Sequence, residues 1–197
     1  MEPALNFCSA CGAAVSLQIP AGDSLLRHVC TACGTIHYRN PRLVVGTLPC
    51  HDERVLLCRR AIEPAHGLWT LPAGFMENGE TVAAAALRET REEALAHVEL
   101  GELFSLISVP HINQVHAIYR ARLRDLDFAA GAETLEVRLF AENEIPWEAI
   151  AFRTILRTLQ HYFADRRAGR FGFHEGSIDS VTPAIAPSGR TPPAAPR

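Results

Sequence analysis

Three glutamates, Glu89, Glu92 and Glu93, follow the run Val82-Ala83-Ala84-Ala85-Ala86-Leu87, and together they constrain this chain more than any other feature. The alanine-rich run is a strong helix former. Residues three and four apart are neighbours on a helix surface, so these three carboxylates share one face. Like charges packed that closely repel, and partial burial makes the repulsion worse, so the face calls for a cation. Hard carboxylate oxygens select Mg²⁺ or Mn²⁺ over softer metals. Asn78 and Gly79 introduce the helix, with Glu80 expected in its first turn and an end expected near Ala94.

Gly74 precedes the helix, and a glycine lets backbone approach a metal or phosphate closely. Nearby N–H groups at a helix start favour an anionic substrate. A metal beside such a loop points to metal-assisted attack of water on phosphorus. The bland alternative is a solvated acidic face, with Arg88 and Glu92 as a surface pair four residues apart. The glycine loop together with the full set of acids argues against it.

A second constraint lies upstream. Cys8-x2-Cys11 and Cys30-x2-Cys33 are separated by eighteen residues, the pattern of two knuckles closing a tetrahedral structural Zn²⁺ site. So short a module has almost no core, and bound metal is expected to supply its folding energy. Its charge gives no support for nucleic-acid contact, since Arg27 and Arg39 are the only basic residues before Pro41, histidines aside. His28 and His37 read as packing or surface residues, and Cys50 and Cys58 as small core residues. Asn40-Pro41 marks a boundary, because the residue before proline is pushed out of helical geometry.

Downstream, strands are expected at 43–48, 55–58, 68–71, 99–108, 114–123 and 134–140, and a final helix over 147–167 with Ile150, Ile155, Leu156, Leu159, Tyr162 and Phe163 on its apolar side. The organisation is therefore a zinc ribbon over 1–40, a catalytic domain over 41–176 and a disordered Pro/Ala-rich tail over 177–197 containing five prolines. With 48% hydrophobic residues, 21% charged and a net charge of −3, the chain can build a sizeable core and shows no basic surplus for nucleic acid. It has no apolar run of membrane-spanning length and no signal-like start, so a cytoplasmic location with no membrane partner is expected.

The residues Gly74, Glu80, Arg88, Glu89, Glu92 and Glu93 fall in the register G-x5-E-x7-R-E-U-x-E-E-x-G-U, and this segment resembles the Nudix box. Two positions depart: Thr90 stands where a bulky aliphatic is usual, and Leu95 where a second glycine is usual. A left-handed residue there costs anything but glycine about 1 kcal/mol. The resemblance extends over about residues 6–177, to zinc-ribbon Nudix hydrolases of the ADP-ribose and FAD pyrophosphatase type. It is carried by Phe7-Cys8-x2-Cys11, Asn40-Pro41, the run from His66 to Gly74, and the Gly131-x-Glu133-x2-Glu136 segment that ends in Arg138-Leu139-Phe140.

That resemblance implies an α/β/α sandwich around a mixed sheet. It implies Glu89, Glu92 and Glu93 as Mg²⁺ ligands, one also acting as base, with Arg88 and Glu80 orienting Glu89. The carbonyl of Ala73 is a further candidate ligand. A later-loop carboxylate is expected from Glu133 or Glu136, with Glu133 preferred. Sister enzymes acting on NADH carry Ser-Gln-Pro-Trp-Pro-Phe-Pro-x-Ser after the box, where this chain has Ser108-Val-Pro110-His-Ile-Asn-Gln114-Val-His. ADP-ribose or FAD is therefore preferred over NADH. Trp69, Phe75, His111, Ile112 and Gln114 are candidates to line the nucleoside pocket, and a homodimer is expected by analogy. The rivals are a catalytically silent nucleotide sensor and a ribbon-mediated interaction protein with the larger domain as scaffold.

Overall fold

The computed structural model describes residues 5–179. Three short strands, β1 (Val15–Gln18), β2 (Arg27–Cys30) and β3 (Ile36–His37), pair antiparallel into a small sheet of their own. The knuckle turns close by backbone bonds from Gly12 N–H to the Cys8 carbonyl (2.8 Å) and from Gly34 N–H to the Cys30 carbonyl (3.2 Å). His28 and His37 face each other across β2 and β3.

The second sheet is built from β4 (Arg42–His51), β5 (Arg54–Arg60), β6 (Trp69–Thr70), β7 (Ala73–Phe75), β8 (Val98–Val109), β9 (Gln114–Leu123), β10 (Thr134–Phe140) and β11 (His174–Ser177), with α1 (Val82–Ala94) after β7 and α2 (Arg153–Arg167) after β10. The strand order is β10-β5-β4-β9-β8-β11, with β6 on β5 and β7 on β4. The pairs β4–β9 and β8–β11 are parallel and the others antiparallel, so the sheet is mixed, as expected.

The two helices cover opposite faces. Ala85 and Ala86 of α1 pack on Val45 and Ala117. Ile155, Leu159, Tyr162 and Phe163 of α2 pack on Leu48, Phe104 and Ile118. Alternation along β9 explains the split: Ala117 faces α1, Ile118 faces α2. Each fully buried leucine or phenylalanine here contributes about 1.5–3 kcal/mol. A buried polar link ties α2 to the sheet: His116 accepts from the Thr154 hydroxyl at Nδ1 (2.9 Å) while its Nε2 meets Gln114 Oε1 (3.0 Å). Burial pushes the His116 ring down to about 4, which keeps it neutral. Among the described residues no helix is long and apolar enough to cross a membrane.

Three local expectations are corrected. The final helix starts at Arg153 rather than 147, because Ile150 bridges Trp69 and Ala151 N–H donates to the Trp69 carbonyl (2.8 Å), holding that segment extended. Glu80 lies before the helix, not in its first turn, since Thr81 is the N-cap and its hydroxyl accepts from Ala84 N–H. Residues 177 and 178, assigned to a tail, belong to the sheet: Ser177 pairs with Ser108 and Ile178 is buried. The rest of the expected tail, 180–197, lies outside the described residues.

Candidate active site

Arg88 organises the acidic face of α1. Its Nε and Nη2 donate to the two oxygens of Glu80 (2.6 and 2.9 Å), and Nη1 donates to Glu89 (2.7 Å) and Glu92 (3.0 Å). Nη2 also donates to the Phe75 carbonyl (3.1 Å), tying the helix to β7. Hydrogen bonding from Arg88 pulls the Glu80 carboxyl down to about 2, so Glu80 stays ionised and holds the guanidinium in place.

Glu89 and Glu93 are buried while Glu92 is exposed. The Glu93 carboxylate accepts from Ala73 N–H at 3.1 Å. Burial pushes Glu93 up to about 8, with the charges of Glu89 and Glu133 adding to the rise. Glu89 is raised for the same first reason, desolvation, with Glu92 and Glu133 contributing. Two buried acids that resist ionisation, beside a third, are what a site made for a divalent cation presents without one. Glu133 acts on both buried acids, whereas Glu136 lies near Arg59 (3.9 Å) on the exposed side of β10. Of the two candidate loop carboxylates, it is the charge of Glu133 that bears on Glu89 and Glu93.

Two glycines make this geometry sterically feasible. A Cβ on Gly74 would lie 2.4 Å from Glu89 Oε2, so only glycine lets that carboxylate settle against β7. A Cβ on Gly131 would lie 1.7 Å from the Glu92 carbonyl, and Gly131 N–H donates to the Glu93 carbonyl (3.0 Å). That contact pins the Glu133 loop to the end of α1.

In the small sheet the four cysteine sulfurs lie within 4.8 Å of one another. Cys8–Cys33 is 3.8 Å, and Cys11–Cys30 and Cys11–Cys33 are 3.4 Å. A tetrahedron with Zn–S arms of about 2.3 Å has edges of about 3.8 Å, so the donor set fits zinc. N–H groups of Ala10, Ala32 and Cys33 point at Sγ atoms (3.4 Å each), and the Thr35 hydroxyl heads the contacts that lower Cys33 to about 6; both favour thiolate there, whereas Cys11 is raised, a lowering backbone bond at Ala13 being outweighed by the Cys30 and Cys33 sulfurs beside it. Neither His28 nor His37 joins the cluster.

Family models match the chain in two parts: a Nudix N-terminal zinc ribbon over residues 6–39 and a NUDIX domain over residues 40–159. The chain belongs to the Nudix family. It is 30% identical over 124 residues to an ADP-ribose pyrophosphatase of Methanocaldococcus jannaschii, covering 61% of this chain and 73% of that protein. It is 29% identical over 169 residues to the NAD-capped RNA hydrolase NudC of Stutzerimonas stutzeri, covering 84% of this chain and 58% of NudC. A crystal structure of a NUDIX hydrolase from Nitrosomonas europaea superposes with a TM-score of 0.87 at 55% identity, covering 89% of this chain and all of that one. The Nudix sandwich, the ribbon and a pyrophosphatase-type hydrolase are thereby established.

Both departures from the Nudix box have structural answers. Thr90 is fully buried, donates to the Ala86 carbonyl (2.7 Å) and pairs with the buried Thr47 hydroxyl (2.6 Å). A matched hydroxyl on β4 thus replaces the usual apolar contact, a pairing no local pattern could announce. Leu95 adopts the left-handed conformation expected of the missing glycine (φ 49°), and its N–H donates to the Arg91 carbonyl (3.0 Å). Arg91 in turn donates to the Leu95 carbonyl (2.7 Å).

The expected pocket residues separate. Phe75 is 45% exposed, and Arg42, whose guanidinium lies 4.5 Å from its ring, also donates from its backbone N–H to the Asn113 carbonyl (2.9 Å). The turn carrying His111 and Ile112, both exposed, therefore lies at the same end of β4 as Phe75. Gln114 is partly committed to His116. Trp69 does not join them: its ring packs edge-on against Phe140 (4.9 Å) at the rim of the α2-side core. Sequence reasoning passed over Arg42, and also Arg60, whose charge bears on Glu93. A lone arginine in a strand gives no signal of what lies across the sheet.

Proposed function

We propose that this Nudix hydrolase cleaves the diphosphate of a nucleoside diphosphate derivative, preferentially ADP-ribose or FAD, and releases AMP. The observation that carries the reading is the buried Glu89/Glu93 pair against Gly74 and Ala73, with Arg88 holding Glu89 and Glu92. Mg²⁺ or Mn²⁺ held by Glu89, Glu92, Glu93 and the Ala73 carbonyl, with Glu133 within reach, would supply charge neutralisation at the diphosphate and an acidified water. The chain's own residues do the rest. Arg88 fixes Glu89, and Gly74 leaves room for it. One buried carboxylate takes the proton lost by the attacking water. Phe75, Arg42 and the His111–Gln114 turn line the approach to the nucleoside. The archaeal ADP-ribose pyrophosphatase supports this substrate class.

A second reading, a dinucleotide of the NAD type, is favoured by the similarity to NudC over 84% of this chain. The test is phosphate release, coupled to a phosphatase, from ADP-ribose, FAD, NADH and nucleoside triphosphates in parallel. Greatest kcat/KM for ADP-ribose or FAD is expected, with Glu93→Gln inactive. NADH as best substrate selects the second reading. Tight ADP-ribose binding without turnover in either metal would make the chain a sensor.

A further inference from the structure

A cavity of about 580 Å³ opens on the α2 side of the sheet, lined by Cys50, Arg120, Tyr162, Arg166 and Phe171 together with Asp52 and the Glu99–Arg122 ion pair. None of the carboxylates of α1 lines it, and Arg120 and Tyr162 stand on the face opposite α1. Its size is that of a small-molecule site.

Three guanidinium groups converge there, and their pairing is unequal. Arg122 is paired with Glu99, and Arg166 with Glu53 at 2.7 Å. Arg120 is half-buried, stacks on the Phe171 ring at 3.7 Å, and has no carboxylate partner among the described residues. A half-buried, planar, permanently charged fork with open space beside it is set to receive an oxyanion. One face of the guanidinium is held by that ring. Phe171 is itself stacked on Tyr162 (5.5 Å, 29°), so guanidinium and two rings form a rigid pile. Arg120 and Arg166 line the cavity together with the half-buried Cys50 and the buried Tyr162.

The neighbouring strand β8 is irregular where it borders the cavity. The β8–β9 register shifts between Leu100 and Leu103 and again before Ser105, beside Arg120. Gly101 sits in that irregularity, where a Cβ would come within 3.0 Å of the Arg120 carbonyl. Such bulges re-aim neighbouring side chains and recur next to functional sites.

We propose that this cavity is a second anion site, which binds the phosphoryl group of a small phosphomonoester or of free phosphate through Arg120 and Arg166, remote from the hydrolytic centre. Occupied, it would tie the C-terminal end of α2 and the Phe171 segment to β9.

The test uses the full zinc-loaded chain without Mg²⁺ or Mn²⁺. Inorganic phosphate and glycerol 3-phosphate are titrated while the arginine side-chain ¹⁵Nε resonances are followed, with sodium chloride at matched ionic strength as control. Saturable shifts of Arg120 and Arg166 are expected. Arg120→Gln should weaken binding by about tenfold or more, as expected when the fork is removed. Glu93→Gln should leave binding intact, and Arg120→Gln should leave hydrolysis unchanged. Tighter binding of glycerol 3-phosphate identifies an ester as the ligand; equal binding identifies free phosphate. Arg120→Lys, which keeps charge and loses the fork, should be intermediate and covers the case in which the Gln variant does not fold. Unchanged affinity in the folded Arg120 variants, absence of shifts, or identical shifts with chloride overturns the proposal.

Discussion

Replacing Glu93 by glutamine should make the zinc-loaded protein without Mg²⁺ or Mn²⁺ more stable while removing hydrolysis. Glu93 is 9% exposed, and its carboxyl is pushed from 4.5 up to about 8, chiefly by burial. Because the folded value lies above the unfolded one, the unfolded chain gives up this proton first. The stability is therefore fully present below pH 4.5 and drains away as pH rises toward 8. At about 1.4 kcal/mol per pH unit the full span corresponds to about 5 kcal/mol, and water reaching the site reduces it to about 3 kcal/mol. Glutamine is neutral, nearly isosteric, and keeps an oxygen to accept from Ala73 N–H. Without Mg²⁺ or Mn²⁺, Glu93→Gln should thus melt about 6–12 °C above wild type at pH 8.5 and close to it at pH 4.5. Added Mg²⁺ should raise the wild-type melting temperature and close most of the gap. Calorimetry of both proteins across that pH range, with and without Mg²⁺, is the measurement. A variant that melts below wild type at pH 8.5, or a gap independent of pH, would refute the claim that buried charge on Glu93 is what awaits the cation.

Three further outcomes follow from particular contacts. Thr90→Val should destabilise by about 1–3 kcal/mol, because the Thr47 hydroxyl loses its partner 2.6 Å away, while Thr47→Val with Thr90→Val should recover much of that loss in a denaturant-melt cycle. Gly74→Ala should lower kcat about 100-fold with little change in melting temperature, since the new Cβ, 2.4 Å from Glu89 Oε2, displaces a flexible carboxylate and no backbone; a large drop in melting temperature would contradict this. Leu95→Gly should stabilise the domain by about 1 kcal/mol by relieving a left-handed leucine at φ 49°, read as a rise in denaturation midpoint at unchanged slope.

What could be read from residues alone was what depends on neighbours in the chain. Spacing put Glu89, Glu92 and Glu93 on one helical face, and α1 ends at Ala94 as expected. The paired Cys-x2-Cys spacing anticipated four thiols within 4.8 Å. Even the αL conformation of Leu95 follows from its place in the box. Contacts between distant segments decided the rest. Gly131 against the end of α1 held the Glu133 loop where its charge bears on Glu93, while Glu136 lies near Arg59. Phe140 drew Trp69 into the core, and Trp69 in turn held Ile150 extended and delayed α2 to Arg153. Helical periodicity and ligand spacing are local properties, whereas burial and hydrogen-bond partners arise only when segments tens of residues apart meet across a sheet.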